Sequence, residues 1–299
     1  MKRPFHEKIM DRVWCEVTAV LDHKQVPPIE QNEYPAASIS AAMDWPAACS
    51  ALAAGRWSSK NFRRSRFVRQ VVETLGPSDG LHFANWIANV RPDALENPLA
   101  RRANDWGNPI QVPAWVLGTS KPWSPTSLRY LAHAIWLEKN GFTTRGGKVI
   151  EIGVGFGGLS AMLAAITGIF SVHVDLPAVR KAAAIQMAEL GLGGNLSDSP
   201  KSDAQYCFVS NYALTEMNRD LQNDYIRDFA RLADKGLILS NAGHFSGSIG
   251  GRTDEELLGE LRKAGLDAKL VRESPLLGPS DKLCANCLIQ WESKICDAE

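Results

Sequence analysis

This 299-residue chain is short of most features that would announce a specialised class. It has no net charge: 33 Lys and Arg balance 33 Asp and Glu, so no global field draws it to nucleic acid or to a membrane surface. It has no apolar run near the ~20 residues that span a bilayer; the longest, around residues 159–169, falls well short. The N-terminal Met1-Lys-Arg-Pro-Phe-His-Glu7 is charged without an apolar segment behind it, so no signal peptide is expected and a cytoplasmic location is. Cysteine is sparse, at 15, 49, 207, 284, 287 and 296, with no disulfide framework. Cys284-x-x-Cys287 is half a zinc knuckle without a second pair. It falls in an expected strand over 283–291, where residues three apart point to opposite faces, and no metal is expected. Repeats and low-complexity segments are absent too. The length allows one large domain or two modest ones.

What is present divides into two parts. Residues 1–123 show helical periodicity broken by Pro and Gly, with almost no strand signal. Ile9, Val13, Val17 and Val20 form one apolar stripe. Phe62, Val68, Val71, Val72 and Leu75 form another, stopped by Gly76-Pro77, and residues 81–90 predict a third helix. Residues 92–123, rich in Pro, Asn and Gly, read as an ordered irregular connector. Ser124-Pro-Thr-Ser127 then opens a helix to about Asn140, with a cap serine and a first-turn proline.

Strands and helices alternate from Lys148 onward. Strands are expected at 148–152, 170–175, 206–210 and 235–240, and helices at 158–167, 177–190, 219–233 and 253–264, the last opened by a Thr253/Glu256 capping box. Residues 268–271 and 283–291 close the pattern as a strand pair. This alternation implies a mostly parallel α/β sheet with an antiparallel last strand, preceded by a helical region. The expected division is 1–123, a helical region shaping a substrate pocket, and 124–299, a cofactor-binding domain.

One constellation carries chemistry. Glu151-Ile-Gly-Val-Gly-Phe-Gly-Gly158 follows a strand and opens a helix, where glycines allow a tight turn and close approach of a ligand to the free N–H groups. Asp175 ends the next strand, placed to accept hydrogen bonds from ribose hydroxyls. Gly153-x-Gly155-x-x-Gly158 also satisfies the dinucleotide fingerprint. Glu151 two residues before the first glycine, the mid-chain position of the motif and the terminal strand pair favour S-adenosylmethionine over a nicotinamide cofactor.

The segments Val149-Ile-Glu-Ile-Gly-Val-Gly-Phe-Gly-Gly158, Val174-Asp-Leu-Pro177, Val209-Ser-Asn-Tyr-Ala-Leu-Thr-Glu216 and Leu221-Gln-x-x-Tyr225 resemble, in order, those of bacterial sugar O-methyltransferases. Ser124-Pro-Thr-Ser-Leu-Arg-Tyr130 resembles that family's lead-in helix, and the likeness spans about residues 120–245. The resemblance implies a Rossmann-like fold, S-adenosylmethionine as methyl donor and S-adenosylhomocysteine as product. It implies that Glu151, Gly153 and Gly155 hold the methionine part of the cofactor, and Val154 and Tyr130 are expected among the cofactor-binding residues. Asp175 and Leu176 would bind ribose and adenine, Ser210 and Asn211 would line the methyl-transfer cleft, and Arg129, Tyr212 and Asn241 would meet the acceptor. The Asp-Leu-Pro step is also similar to plant-type small-molecule O-methyltransferases, whose histidine base does not transfer, because Ala213-Leu-Thr215 stands near its place. The adenine contact falls to Asp198 or Asp203, in a segment with room for only a stunted third strand.

A sugar hydroxyl needs a base. His244, after the 235–240 strand, is one candidate, against a reading as a loop histidine with a local hydrogen bond. Glu216 is the other, against a first-turn acid favoured by the helix dipole. His133 reads as a packed helix residue and His173 as a structural strand residue. The run from Arg56 to Arg69, six positive charges with no acid between Asp44 and Glu73, reads as a solvated helix face or as a local anion site. The expected partners are a small-molecule or glycan acceptor, with neither nucleic acid nor membrane, and a homodimer is allowed. Competing readings are an N-methyltransferase, a small-molecule O-methyltransferase, a nicotinamide-dependent oxidoreductase and a non-catalytic scaffold.

Overall fold

A computed structural model describes residues 5–21, 37–41, 43–143, 147–193 and 206–292. The N-terminal part carries helices α1 (Phe5–Leu21), α2 (Trp45–Ala53), α3 (Arg66–Arg69), α4 (Pro77–Val90), α5 (Pro98–Asp105), α6 (Ala114–Leu117) and α7 (Pro125–Lys139). Then come β1 (Lys148–Ile152), α8 (Gly158–Thr167), β2 (Ser171–Val174), α9 (Pro177–Glu189), β3 (Tyr206–Asn211), α10 (Arg219–Asp228), β4 (Lys235–Ser240), α11 (Ala242–Ile249), α12 (Asp254–Lys263), β5 (Lys269–Val271), α13 (Pro279–Leu283) and β6 (Cys287–Glu292). No helix among the described residues is long and apolar enough to cross a membrane. The segment with Asp198 and Asp203 lies outside the described residues.

The six strands form one sheet in the order β2-β1-β3-β4-β6-β5. β1 pairs in parallel with β2 and β3, and β3 with β4, while β6 runs antiparallel between β4 and β5. The chain winds outward from β1 to β2, then crosses back to β3. The strand order therefore reverses between β1 and β3, and a crevice opens beyond their C-terminal ends. This is a Rossmann-like sheet closed by an antiparallel strand, as expected from the alternation.

Period-two alternation divides the strand residues between two cores. Val149, Val209, Leu237, Leu239 and Leu288 join a cluster that runs through α8 and α9 into the N-terminal helices. Ile150, Phe208, Ile238, Ile289 and Trp291 pack with Ile226, Leu257 and Leu261 on the opposite face. The helical part is thus the cover of one sheet face. Local chemistry sets the helix ends as read: Ser124 Oγ accepts from Ser127 N at α7, and Thr253 and Glu256 form the capping box of α12.

Four sequence expectations are corrected. The 62–75 stripe is not one helix: Ser58 and Ser65 side chains accept from Lys60 N and Phe67 N at 3.2 Å. These local bonds split it into a 3-10 turn, Ser59–Arg64, and the short α3. The basic run is not one solvated face, because Arg63 is fully buried. Its guanidinium pairs with Glu73 at 2.6 Å, donates to the carbonyls of Ala103, Asn104 and Trp106 and to the hydroxyls of Ser124 and Ser127, and lies 4.4 Å over the Phe156 ring. The 92–123 connector contains α5 and α6. The last strand starts only at Cys287, because Gly278-Pro279 opens α13 over the residues before it, leaving Cys284 at that helix's C-cap. The α1 stripe is helical, but Ile9, Val13 and Val17 are exposed.

Candidate active site

The crevice is built from the glycine loop outward. Gly153 has φ +75°, and a Cβ there would sit 2.0 Å from the Ala213 Cβ, so only glycine lets the loop close on the turn that follows β3. At the loop's far end a Cβ on Gly158 would lie 2.5 Å from the Tyr130 ring, which lets α7 press against the start of α8. Phe156, between them, is buried edge-on to Tyr130 and stacked with Trp106. That contact ties the loop to the N-terminal cover.

Asp175 accepts from Leu176 N at 2.7 Å and from Gly155 N at 3.4 Å. Burial lifts its pKa to about 7, against the pull of these N–H donors. At the end of β3, Tyr212 holds φ +70°, a left-handed conformation that costs a non-glycine residue about 1–3 kcal/mol. Several contacts hold it there. Its N–H donates to Leu239 O at 2.8 Å, its carbonyl accepts from Thr215 N at 2.8 Å, and its hydroxyl donates to Asp281. The Arg129 guanidinium lies 5.2 Å from its ring centroid and 5.5 Å from that of Tyr130.

Glu216 closes the 3-10 turn Ala213–Glu216. Asn241 Nδ2 donates to its carboxylate at 2.6 Å, while Asn241 Oδ1 accepts from Thr215 Oγ1 at 2.7 Å. These bonds fix which way the amide points and hold the carboxylate in place. Burial raises the Glu216 pKa, opposed by the Asn241 bond and by the charge of Arg129. His244, expected in a loop, stands exposed in the first turn of α11.

Two cavities meet here. The smaller, about 80 Å³, touches Gly153, Gly155, Asp175, Asn211 and Tyr130. The larger, about 380 Å³, touches Asn241, His244, Asp281 and the N-terminal residues Ile39, Met43 and Thr74. Ser40, Val71, Arg129, Tyr212 and Glu216 belong to both walls. Both candidate bases, all three expected acceptor residues and five of the expected cofactor residues therefore line one or both of these adjoining cavities.

The other expected cofactor residues lie outside them. The Glu151 carboxylate accepts from the Ser160 hydroxyl under α8, and that hydroxyl is also 2.8 Å from His173 Nε2. Burial drives the Glu151 pKa up to about 8. Val154 is core, Leu176 packs against it, and the Ser210 hydroxyl accepts from Leu214 N at 3.0 Å. His133 is buried edge-on to Phe83, and burial, with the nearby Arg129 charge, takes its pKa down to about 3, leaving it neutral. Among the described residues no group of three His, Cys, Asp or Glu could hold a metal.

Sequence reasoning missed Ser40, Val71 and Asp281. Only Asp281 had a local signal, the Gly278-Pro279-Ser-Asp281 helix start, in which Gly278 N donates to the Asp281 carboxylate at 2.9 Å.

No family model and no curated protein matches this chain. Solved structures similar to it include an O-methyltransferase family protein of Burkholderia thailandensis, 16% identical over 98% of this chain and 99% of that one, with a TM-score of 0.41. The geranyl diphosphate C-methyltransferase of Streptomyces coelicolor A3(2), solved with Mg²⁺, geranyl diphosphate and S-adenosyl-L-homocysteine, is 14% identical over 55% of this chain and 77% of that one (TM-score 0.42). A phosphoethanolamine N-methyltransferase of Haemonchus contortus, solved with S-adenosyl-L-methionine, is 12% identical over 54% and 52% (TM-score 0.42).

Proposed function

We propose that this chain is an S-adenosylmethionine-dependent O-methyltransferase acting on a hydroxyl of a sugar or glycosylated small molecule. The observation that supports the reading is the shared lining of the two cavities, in which Glu216 borders both the cavity at the glycine loop and the larger polar one. When bound, S-adenosylmethionine supplies an electrophilic methyl on its sulfonium. The donor set suits it: Asp175 can accept from ribose hydroxyls, and the Asn211 amide, on the wall of the smaller cavity, can meet the amino-acid part.

Bound there, S-adenosylmethionine would give its methyl to the acceptor oxygen with the carbon–sulfur electron pair staying on sulfur, and Glu216 would accept the hydroxyl proton. Its raised pKa makes it a stronger base than an exposed carboxylate, which suits a poorly acidic alcohol. Asn241 and Thr215 hold it in line, and His244 is the alternative base on the same cavity. Residues 1–123 supply Ser40, Val71 and Thr74 and so shape the acceptor side. The smaller cavity is below the roughly 300 Å³ at which ligand pockets begin.

Calorimetry with S-adenosylhomocysteine and with NAD tests the cofactor. Binding of the first and none of the second is expected; the reverse overturns the reading. Glu216→Gln should keep S-adenosylhomocysteine affinity within about threefold while methyl incorporation into a sugar panel drops about 10²–10⁴-fold. If Glu216→Gln and His244→Ala both keep full turnover, neither is the base.

A further inference from the structure

Three arginines are buried among the described residues: Arg63, Arg129 and Arg252. Two are answered by the chain. Arg63 has Glu73 and five further oxygen acceptors, and Arg252 donates to Arg219 O, Gln222 Oε1 and Asn223 Oδ1. Arg129 is only 4% exposed, yet no carboxylate lies within ion-pair distance among the described residues, and its Nε has no hydrogen-bond partner. Its guanidinium packs against the rings of Tyr130 and Tyr212 and donates a hydrogen bond to the Tyr130 hydroxyl, a neutral group that brings no counter-charge. The two acids with which it interacts electrostatically are committed elsewhere. Asp281 accepts from Tyr212, Asn286 and Gly278, and Glu216 accepts from Asn241.

Taking a guanidinium out of water without an anion is costly. The cost is met when a ligand brings the anion, and Arg129 lines both cavities where that ligand would sit. A guanidinium offers a planar fork of donors that matches carboxylate or phosphate oxygens, and two flanking rings hold that plane.

We propose that Arg129 is an anion subsite for the acceptor, and that the hydroxyl methylated here belongs to an acidic molecule carrying a carboxylate or phosphate. This rests on the methyltransferase reading and narrows its substrate class. The cofactor has a carboxylate of its own, but the Asn211 amide, which lines only the smaller cavity, offers a donor and an acceptor to that zwitterion. Arg129, shared by both cavities, is left for the acceptor.

The test uses the full chain saturated with S-adenosylhomocysteine, titrated with acetate or inorganic phosphate against chloride at constant ionic strength. At least one of the two anions should raise the melting midpoint by about 2 °C or more. Arg129→Gln should abolish that response and Arg129→Lys should keep part of it, with S-adenosylhomocysteine affinity within about threefold reporting that both variants fold. No response in the parent, or an equal response in Arg129→Gln, overturns the proposal. So does a loss of more than about tenfold in S-adenosylhomocysteine affinity in Arg129→Gln with unchanged binding of 5′-methylthioadenosine, because the cofactor's own carboxylate would then be the occupant. A parent that binds no S-adenosylhomocysteine at all fails the methyltransferase reading instead, and the same titration on unloaded protein then decides whether Arg129 binds anions.

Discussion

Arg63 and Arg129 are both buried beneath the N-terminal helices, and their surroundings are opposite. Arg63 meets a carboxylate, three carbonyls, two hydroxyls and the face of Phe156. It joins the 59–73 segment to α5, to the start of α7 and to the glycine loop. Arg129, on α7, meets two aromatic faces, and among the described residues no carboxylate lies within ion-pair distance of it. A buried charge whose partners lie in its own chain is scaffold; one left short beside a cavity marks the place a ligand completes. The same contrast separates two acids of the glycine-loop region. Glu151 is sealed under α8 with Ser160, while Asp175 opens on the cleft.

Three substitutions press on this comparison. Arg63→Met should have the largest effect, a loss of about 3–5 kcal/mol in urea unfolding, because it leaves Glu73 buried without its counter-charge. A loss below about 1 kcal/mol would mean that Arg63 is not the rivet its bonds suggest. Glu151→Gln comes next, and its sign depends on pH. Burial raises the folded-state pKa from 4.5 to about 8, so the folded chain holds a proton that the unfolded chain has lost. The carboxyl's contribution to stability therefore falls as pH climbs through that window. The glutamine variant should match the parent near pH 4 and exceed it by about 2–4 kcal/mol at pH 9. Equal stability profiles across that range would place Glu151 in contact with water. Arg129→Met should change stability least, within about 1 kcal/mol, since it has no ion pair to lose. A destabilisation as large as that of Arg63→Met would erase the distinction between the two arginines.

The parts of the fold that were legible are the local ones. The glycine loop, the Ser124 cap, the Thr253/Glu256 box and the strand–helix alternation each act over a few residues, and each lies where the spacing puts it. The errors have a shared cause. The basic run from Arg56 to Arg69 reads as one surface because sequence cannot show that Arg63 finds partners 40 to 64 residues away. The 62–75 stripe reads as one helix because the capping bonds of Ser58 and Ser65 compete with periodicity that is otherwise sound. The α1 stripe reads as an apolar helical stripe and is helical, but its residues Ile9, Val13 and Val17 are exposed while Asp11 of the same helix bonds to Ser78.

The site divides the same way. Sequence by itself determined the crevice: strand, glycine turn, helix and Asp175 follow from backbone freedom, hydrogen bonding and a fixed spacing. Tertiary structure decided how the motif residues Arg129, Tyr212 and Glu216 meet Ser40, Val71 and Asp281, which no motif marks, across from it. Ser40, Val71, Arg129, Asp281 and the turn from Tyr212 to Glu216 come from five segments of the chain that share no spacing with one another. They meet because the sheet order reverses between β1 and β3, and because the N-terminal helices pack over one face of that sheet. It also decided that Glu151 lies under α8 rather than in the cleft, since which buried neighbour reaches a carboxylate first depends on packing and not on its place in a motif.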